Sequence, residues 1–428
     1  MLKRFFALIL LCISFCALAQ IDPENNSEEQ AKEKTKDSLK KRVFLENIGL
    51  GYLPTKYFNF DLRYLVKFNQ FEGFRTGLGG ITNDGFSEKF RVNGYLVYGF
   101  RDKDSKYSIG GGFRVNEQTD TWVNLTYTDD LQETGSSKFL TDKRFFSFFE
   151  PRLLNIDLFH RHITKSVSLQ HRVTNHLLSE TEFAVSRVNP TYNYNFLYNG
   201  DTFNTFNLST AKLSLQWSPF SKFEIIDRRV EEKIDGYPKF TAQVTQSISR
   251  LFNSDFNFTK LDFRTIQQID HGNQSLTRLT LVGGLSSGET PITHLYHAYP
   301  NNIRKETIMQ RFSVAGLNSF ETMFFNEFFS DRFATFQFKH YLKPFNVSRR
   351  FRPQMVLISR YALGNMRSID QHQGISFGTL DKLYSESGFE INKLIFGFGL
   401  SFAYRYGGYH LPILEDNFAF KFTFNLSL

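Results

Sequence analysis

The chain has 428 residues, of which 22% are charged and 17% aromatic, and its formal net charge is +8. Its mean hydropathy is −0.33, and no run of 18 apolar residues follows the N-terminal region, which excludes a protein built of membrane-spanning helices. Both cysteines, Cys12 and Cys16, lie near the N-terminus, so the rest of the chain can form no disulfide, zinc–thiolate site or thiol nucleophile.

The first 19 residues have the pattern of a secretory signal peptide. Lys3 and Arg4 form a basic start, residues 5–15 an apolar centre, and Ala17-Leu18-Ala19 a small-residue cleavage site. The alternative, a single membrane-anchoring helix, needs a longer apolar stretch. The sequence therefore predicts export with cleavage after residue 19. Export argues against nucleic acid as a partner, despite the basic net charge.

Residues 20–42 form a polar segment with six acidic and six basic residues. Such a segment buries too little apolar surface to offset the entropy lost on ordering. We predict a charged periplasmic linker, and a short helix that binds a periplasmic partner is the alternative.

From residue 43 onward, apolar and polar residues alternate with the period of two that is typical of β-strands. Three of the apolar rows are Phe58, Phe60, Leu62, Tyr64, Val66 and Phe68; Val167, Leu169 and Val173; and Leu394, Phe396, Phe398, Leu400, Phe402, Tyr404 and Tyr406. Each row lies opposite polar or small residues, so every predicted strand has one apolar face and one polar face.

The predicted strands are about 9–12 residues long, which is enough to cross a bilayer at a tilt. A secreted sandwich or solenoid would need a very large core to bury so many apolar faces, whereas a membrane barrel turns them toward lipid. Unpaired backbone groups are not tolerated in hydrocarbon, so such a barrel must close on itself. We therefore predict an all-β fold over residues 43–428: a transmembrane antiparallel β-barrel of about 16 strands, with 14 to 18 possible, in the bacterial outer membrane.

Turn-rich segments separate the strands. Residues 101–105 predict a tight turn, and the longer interruptions are 128–143, 189–205, 226–238, 286–306 and 364–381. Barrels of this kind keep long loops outside and short turns at the periplasmic rim. The apolar stretch 319–333 lacks clean alternation, and we expect it to fold across a rim.

Four stretches carry a family resemblance: KFNQFEGFRTGLGGITN (67–83), GYLVYGFRDKDSKYSIGGGFR (94–114), FETMFFNEFFSDRFATFQFKHYL (320–342) and ESGFEINKLIFGFGLSFAYRY (386–406). Together they resemble a domain-of-unknown-function outer-membrane β-barrel family, the barrel that often follows a carboxypeptidase-regulatory-like domain. The resemblance implies a barrel in the Gram-negative envelope and assigns no activity. The stretch FEGFRTGLG is also faintly similar to the first barrel strand of BamA/TamA-type surface-antigen barrels.

The last residues resemble the C-terminal signal by which barrel proteins are recognised for assembly. The apolar positions of this predicted signal are Phe418, Phe420, Phe422, Phe424, Leu426 and Leu428. The resemblance implies that the barrel-assembly machinery is a partner during biogenesis. Such signals often end on an aromatic residue, and this one ends on leucine.

Charged residues on the polar faces are expected to line the lumen. The candidates for this network are Arg63, Arg75, Arg91, Arg114, Glu327, Asp331, Arg332 and Arg405. Opposite charges would pair in a partly dehydrated lumen, whereas an excess of arginine would favour anions. These charged residues have two possible interpretations: a structural network that fills a closed lumen, or a device that makes a channel selective for anions. Glu327, Asp331 and Arg332 are close enough in sequence to predict a local salt-bridge cluster.

Clustered histidines and tyrosines are the candidates for binding a metal ion or a sugar. His160, His162, His171 and His176 are close in sequence, but a metal site needs imidazoles that converge, so we predict hydrogen-bonded rim or lumen histidines and no metal or other cofactor. His294 and His297 are predicted to be solvated loop residues. The aromatic residues of the 189–205 loop, Tyr192, Tyr194, Phe196 and Tyr198, predict a membrane–water girdle or a sugar-stacking surface.

These observations favour a non-enzymatic integral barrel, either a porin-like polar-lined channel or an envelope-assembly or scaffold component. The alternative is a barrel enzyme acting on lipid or surface polysaccharide at the outer rim. An energised transporter would need a plug domain for which no residues are available. The expected partners are outer-membrane lipids, including lipopolysaccharide against basic loops.

Overall fold

A computed structural model describes residues 44–45, 47–142, 152, 155–226, 229–305, 313–348, 351–395 and 397–424. The predicted signal peptide and linker lie outside the described residues, as do Leu426 and Leu428. By its contacts the chain divides after Asn47, and the second unit, Ile48–Leu428, holds all the strands. None of the helices in the described ranges is long and apolar enough to cross a membrane.

Most of the second unit is one antiparallel meander, in which each wall strand pairs with the next along the chain. The first strand, β1, consists of Phe58–Asp61 and Val66–Asn69, separated by the 3-10 turn Leu62–Tyr64. The others are β2 (Gly73–Thr82), β3 (Phe90–Gly99), β4 (Asp104–Asn116), β5 (Thr121–Glu133), β6 (Phe159–Thr174), β7 (Leu177–Pro190), β8 (Phe206–Trp217), β9 (Lys239–Ser247), β10 (Phe258–Asp270), β11 (Leu276–Gly288), β12 (Arg332–Tyr341), β13 (Gln354–Asn365), β14 (Tyr384–Ile395), β15 (Phe398–Gly407) and β16 (Phe418–Phe424).

Side chains alternate between two environments along each wall strand. On β4, Ile109 is 62% exposed and Val115 58% exposed, whereas Lys106 and Arg114, at positions of the other face, are 1% and 4% exposed. The apolar residues thus face outward and the charged residues inward, which is the reverse of a water-soluble sandwich. The predicted orientation of the strand faces is confirmed.

The connections between strands have different lengths at the two ends of the wall. One end, called the loop end, carries the connections 70–72, 100–103, 134–158, 191–205, 248–257, 289–331, 366–383 and 408–417. The other, called the terminal end, is where β1 begins and β16 finishes. Most of its connections are short, but 218–238 and 342–353 are long. The predicted interruption 226–238 therefore lies on the side that was expected to carry only short turns.

Two details of the wall differ from the sequence-based expectation. The alternating row from Leu394 to Tyr406 belongs to two strands, because the chain turns at Gly397, whose φ of +82° lies in the left-handed region that glycine adopts without a Cβ clash. Within the described residues, no ladder joins β1 to β16. Tyr52–Pro54 pairs with the free edge of β1, and Ser313–Val314 pairs in parallel with β16. The strand number of the closed barrel therefore stays a prediction.

The long connection between β11 and β12 runs through the interior rather than outside it. We call its described residues, 289–305 and 313–331, the plug segment. Its short strands Pro300–Asn302 and Phe320–Phe324 pair in parallel. Phe320, Thr322 and Met323 are fully buried. The stretch 319–333, expected to cross a rim, thus supplies a buried part of this segment and the start of β12.

A packed apolar layer covers the loop end. The hairpin Asn195–Tyr198 and Asp201–Phe203 turns through Asn199 and Gly200, both with positive φ, as a two-residue hairpin turn requires. Its Phe196 is fully buried against Phe256, at 4.9 Å between ring centroids. The members of this layer, called the roof, are Leu158, Val188, Tyr194, Phe196, Phe206, Leu208, Phe256, Phe258, Ile292, Leu295, Phe329 and Met366. The girdle or sugar-stacking prediction for the 189–205 loop is therefore wrong for Tyr194 and Phe196, which pack into the roof.

Candidate functional site

Glu386 on β14 binds the plug segment to the wall. Its carboxylate accepts hydrogen bonds from the backbone N–H of Glu321 at 3.0 Å and of Thr322 at 2.9 Å, and from the Thr322 hydroxyl at 2.6 Å. The guanidinium of Arg360 on β13 donates to the same carboxylate at 2.6 Å. One wall carboxylate thus satisfies two buried backbone donors of the plug segment, and buried backbone groups require such partners.

Glu321 extends the contacts to β16, two strands further along the wall. Its carboxylate accepts from the N–H of Gly316 at 3.1 Å and from the Ser319 hydroxyl at 2.8 Å. Lys421 on β16 lies 3.5 Å from the same carboxylate and donates to the carbonyl oxygen of Asn301. The plug segment is therefore tied at once to β13, β14 and β16.

Three further contacts hold the plug segment along the wall. The ammonium of Lys339 on β12 donates to the carbonyl oxygen of Leu317 at 2.8 Å, and the amide of Gln337 donates to that of Asn318. The N–H of Ala315 donates to the carbonyl oxygen of Phe422 at 2.7 Å, which continues the parallel pairing with β16. The segment therefore lies along the inner side of the wall from β12 to β16.

Glu327 has a different partner from the one that the sequence predicted. Its carboxylate receives the guanidinium of Arg405 on β15 at 2.7 and 3.1 Å, and Arg405 also lies over the ring of Tyr384 at 4.7 Å. Asp331 and Arg332 approach each other at 3.4 Å, and Arg332 is half-exposed on an outward-facing position of β12. Of the predicted cluster, Asp331 and Arg332 do pair, whereas Glu327 turns into the lumen and pairs with Arg405 instead.

A second inward segment comes from the β5–β6 connection. Arg264 on β10 donates to Asp142 at 2.6 Å, and the amide of Gln243 on β9 donates to the carbonyl oxygen of Lys138 at 2.8 Å. The hydroxyl of Tyr299 in the plug segment donates to the carbonyl oxygen of Ser137 at 2.8 Å, so the two inward segments touch each other. Together they occupy the lumen between β9, β10 and β16.

His297, expected to be solvated, lies among ionic groups in the interior. Its Nδ1 accepts the N–H of Tyr299 at 3.0 Å, which leaves Nε2–H to donate to Glu133 at 2.6 Å. Arg152 contacts the same carboxylate at 2.5 Å. Burial lowers the pKa of His297, while the neighbouring Glu133 acts in the opposite direction. This arrangement fastens the plug segment to the end of β5.

The predicted lumen residues near the N-terminal strands form two groups. Arg75 contacts Asp130 at 2.7 Å and Glu72 at 3.3 Å, and Glu72 also receives Lys106 at 3.2 Å. Arg63 forms a two-pronged pair with its neighbour Asp61 at 2.9 Å and is partly exposed. In this region acidic and basic groups alternate, so the structure offers no local excess of arginine.

Arg91 and Arg114 lie on either side of one tryptophan. The guanidinium carbons are 4.2 and 4.8 Å from the ring of Trp122, at distances typical of cation–π contacts. Arg114 also pairs with Asp120 at 2.8 Å, and Arg91 donates to Gln170 at 2.8 Å. These predicted residues therefore do meet in the lumen, in a group separate from that of Glu327 and Arg405.

The histidines predicted to be hydrogen-bonded have such partners. His171 contacts the Thr121 hydroxyl at 2.7 Å, and His162 that of Thr164 at 2.8 Å. The ring of His160 lies 6.4 Å from that of His162 and 6.2 Å from that of His294. In the described part of the chain, no group of three or more histidine, cysteine or acidic residues has a geometry that could hold a metal ion.

The described part of the predicted assembly signal has the expected orientation. Phe420 and Phe422 are 36% and 41% exposed, whereas Lys421 and Thr423 are 1% and 5% exposed. Leu426 and Leu428 lie outside the described residues. The recognition role of these residues stays a prediction.

Sequence reasoning missed the four residues that hold the plug segment: Glu321, Arg360, Glu386 and Lys421. Arg360, Glu386 and Lys421 each stand on the polar face of an alternating strand, and this position was a usable signal. Glu321 carried no such signal, because the stretch around it does not alternate.

Comparisons with known proteins agree with this architecture. A family model described as the C-terminal domain of a family of unknown function (DUF5686) matches residues 52–343. The crystal structure of BamA from Haemophilus ducreyi lacking POTRA domains 1–3 superimposes with a TM-score of 0.50 at 9% identity, over 83% of this chain and 68% of that chain. CdiB from Acinetobacter baumannii gives a TM-score of 0.42 at 11% identity, over 82% of this chain and 56% of that chain. No curated protein matches the sequence. The fold is thus a transmembrane antiparallel β-barrel of the outer-membrane type, as the sequence predicted.

Proposed function

The chain belongs to the DUF5686 C-terminal domain family, whose function is unknown, and from that premise we propose that it is a non-conducting integral outer-membrane barrel that serves as a structural or assembly component of the envelope. One observation carries this proposal: the plug segment is bonded to β5 as well as to β12, β14, β15 and β16, so it reaches widely separated strands of the wall. A solute channel needs a continuous water path between its two ends.

The buried charges of the lumen support a plug segment that stays in place and does not open as a mobile lid. Arg360, Glu386, Glu321 and Lys421 are each at most 1% exposed, so these charges are shielded from bulk solvent. Removing one member would strand a buried charge, which costs about 3–5 kcal/mol. The plug segment therefore has no low-energy route out of the barrel while these partners are in place.

The roof supports the same proposal from the loop end. Its aromatic and aliphatic side chains come from the connections 134–158, 191–205, 248–257, 289–331 and 366–383 and from the adjoining strands. They form a dry core of their own, which a channel mouth would not need. The proposed barrel thus exposes a folded surface to the outside instead of an opening.

Placement in the outer membrane follows from the outward apolar faces together with the predicted export signal. In this setting the proposed contacts are lipids along the wall, the barrel-assembly machinery at β16 during biogenesis, and a periplasmic partner through residues 20–42. None of these contacts requires catalysis or a cofactor. Fractionation of cells on a density gradient tests the location.

Conductance measurements test the closed lumen. We expect the purified protein to give no stable current steps in planar lipid bilayers at any voltage. A variant in which residues 299–324 are replaced by a short Gly-Ser linker should conduct, provided that circular dichroism shows unchanged strand content. Steady conductance by the unaltered protein would overturn the proposal.

A second variant is available if the deletion variant does not fold. The double substitution Glu321→Gln with Glu386→Gln removes the charges of two lumen carboxylates without shortening the chain. It should give brief, intermittent openings. Glu182→Gln is the matched control, because Glu182 pairs with Lys212 at 3.3 Å on a partly exposed part of the inner wall, and both residues belong to wall strands.

A further inference from the structure

A groove interrupts the outward face of the wall between β3 and β7. Its volume is about 660 Å³, which lies within the range of about 300–1,000 Å³ typical of ligand sites. Ile109, Leu125, Val167, Phe183 and Val185 give it apolar sides. These residues occupy outward positions of neighbouring strands, so the groove opens toward lipid and not toward the lumen.

A glycine gives the groove its depth. Gly111 stands at an outward position of β4, between the exposed Ile109 and Phe113. A Cβ added there would meet only the carbonyl oxygen of Arg91, at 3.8 Å, so the space in front of it is open. A larger side chain at this position would fill the groove without a clash against the wall.

The edge of the groove nearest the loop end changes from apolar to aromatic and then to basic. Tyr107 and Tyr127 stack there with ring centroids 5.8 Å apart. Lys165 lies opposite Tyr127 on β6, and Arg187 follows one outward position beyond Val185 on β7. Such tyrosines mark the boundary between hydrocarbon and headgroups in membrane barrels. The two cations therefore lie at headgroup level.

Neither of these two cations has an acidic partner in the described part of the chain, and both are exposed. One outward position further toward the loop end, by contrast, Arg161 pairs with Asp129 at 2.7 Å and with Asp104 at 2.6 Å. Diagonal neighbours across two strands are about 7–8 Å apart, so one phosphate group can lie between Lys165 and Arg187.

The connection between β9 and β10 borders the same face. Ser209 points outward on β8 but is fully buried, because its hydroxyl donates to the carbonyl oxygen of Leu251 at 2.7 Å. The ring of Phe252, 63% exposed, lies 5.9 Å from that of Phe183 in the groove. Residues 251–253 thus form an apolar flap on the outer wall beside the groove.

From this geometry we propose that the groove is a binding site for an anionic lipid of the leaflet at the loop end. One acyl chain lies along Ile109, Gly111 and Leu125, and the headgroup phosphate lies between Lys165 and Arg187. The apolar sides select a hydrocarbon chain, and the unpaired cations at headgroup level select a negative headgroup. The bound lipid would bridge β4 to β7 on the outer face.

Native mass spectrometry of the purified, delipidated full chain tests this site. The probes are phosphatidylglycerol and phosphatidylcholine with identical acyl chains, each titrated in the same detergent. We expect the anionic lipid to be retained at lower concentration than the zwitterionic one. The variant Lys165→Gln with Arg187→Gln should weaken phosphatidylglycerol binding about tenfold or more, since each cation near a charged lipid surface contributes about fivefold. It should weaken phosphatidylcholine binding less, because the choline cation offsets the charge of that lipid's phosphate.

A second variant tests the groove itself. Gly111→Leu should weaken the binding of both lipids, because it fills the space for the chain. Its matched control is Gly283→Leu, an outward glycine of β11 where an added Cβ meets only a carbonyl oxygen at 3.7 Å. The control for the charge change is Lys382→Gln, at an exposed cation of the 366–383 connection.

Equal retention of the two lipids by the unaltered protein would overturn the proposal. Unchanged phosphatidylglycerol binding in the double variant would also overturn it. If Gly111→Leu instead abolished a dimer without affecting lipid retention, the groove would be an interface between two copies of the chain, and the lipid site would be wrong. None of these outcomes depends on whether the lumen conducts.

Discussion

The carboxylate of Glu386 lies 2.6 Å from the guanidinium of Arg360, and both side chains are 1% exposed. Neighbouring strands of the wall present the two residues to the lumen, where the same carboxylate also accepts two backbone N–H groups of the plug segment. The same carboxylate therefore links two wall strands to each other and to the plug segment.

Replacing Glu386 by alanine should destabilise the protein strongly. The change leaves Arg360 buried without its partner, and we expect a loss of about 3–5 kcal/mol in the free energy of unfolding. Urea unfolding in detergent measures this loss. Glu182→Ala is the control: its partly exposed pair with Lys212 should contribute at most about 1 kcal/mol. Similar small losses in both variants would contradict the assigned role of Glu386.

The two tryptophans should report opposite sides of the wall. Trp217 is 51% exposed on the outer face, whereas Trp122 is 7% exposed between Arg91 and Arg114. In vesicles that contain brominated lipid, we expect quenching of Trp217 fluorescence and little quenching of Trp122. The single-tryptophan variants Trp122→Phe and Trp217→Phe separate the two signals. Strong quenching of Trp122 would show that the faces are assigned the wrong way round.

Cysteines at Val314 and Phe422 should form a disulfide. These residues are partners in the parallel pairing of the plug segment with β16, and neighbouring strands bring Cα atoms to a distance that a disulfide can bridge. The variant V314C with F422C should shift in a non-reducing gel after mild oxidation. The pair V314C with F398C is the control, since Phe398 lies on β15, one strand further away. Equal cross-linking of both pairs would mean that the plug segment is not held beside β16.

Acid should loosen the roof. Burial lowers the pKa of His372 to about 4 and that of His294 to about 3. An unfolded histidine takes up its proton at about pH 6.5, so below this pH the unfolded state binds more protons than the folded state. Stability is therefore full above about pH 6.5 and declines as the pH falls toward 4 and 3, by roughly 1 kcal/mol per pH unit for each histidine.

Hydrogen exchange of the roof segments 195–203 and 366–373 at pH 7 and pH 5 measures this effect, after correction for the intrinsic exchange rate. His372→Asn removes one titrating group and keeps a polar partner for Tyr194, whose hydroxyl lies 2.8 Å from the imidazole. We expect a weaker pH dependence in this variant. An unchanged slope would exclude His372 as the cause.

A charge on the outer face of β16 should impair insertion. Phe422 is 41% exposed toward lipid, and a lysine there would cost up to about 2–4 kcal/mol if it lies at the middle of the bilayer. The folded fraction of Phe422→Lys in lipid vesicles should be lower than that of the control Phe422→Leu, as gel mobility without heating shows. Equal folding of the two variants would contradict the lipid-facing position.

The sequence by itself determined which side of each strand meets lipid. Apolar and polar residues alternate on β4 and β16, and the side chains of a strand alternate between faces with the same period. The sequence resemblance also identified the family, and the family model that matches residues 52–343 confirms this identification. These features are local, since a stretch of about ten residues is enough to reveal them.

Only the tertiary structure decided what fills the lumen and which charges meet there. Glu327 pairs with Arg405, 78 residues away, rather than with its neighbours Asp331 and Arg332. Glu321 and Lys421 are brought together by a segment that does not alternate and therefore gave no periodic signal. In a closed wall, inward residues of distant strands share one interior, so their partners depend on curvature and on the path of the plug segment, neither of which is a local property of the sequence.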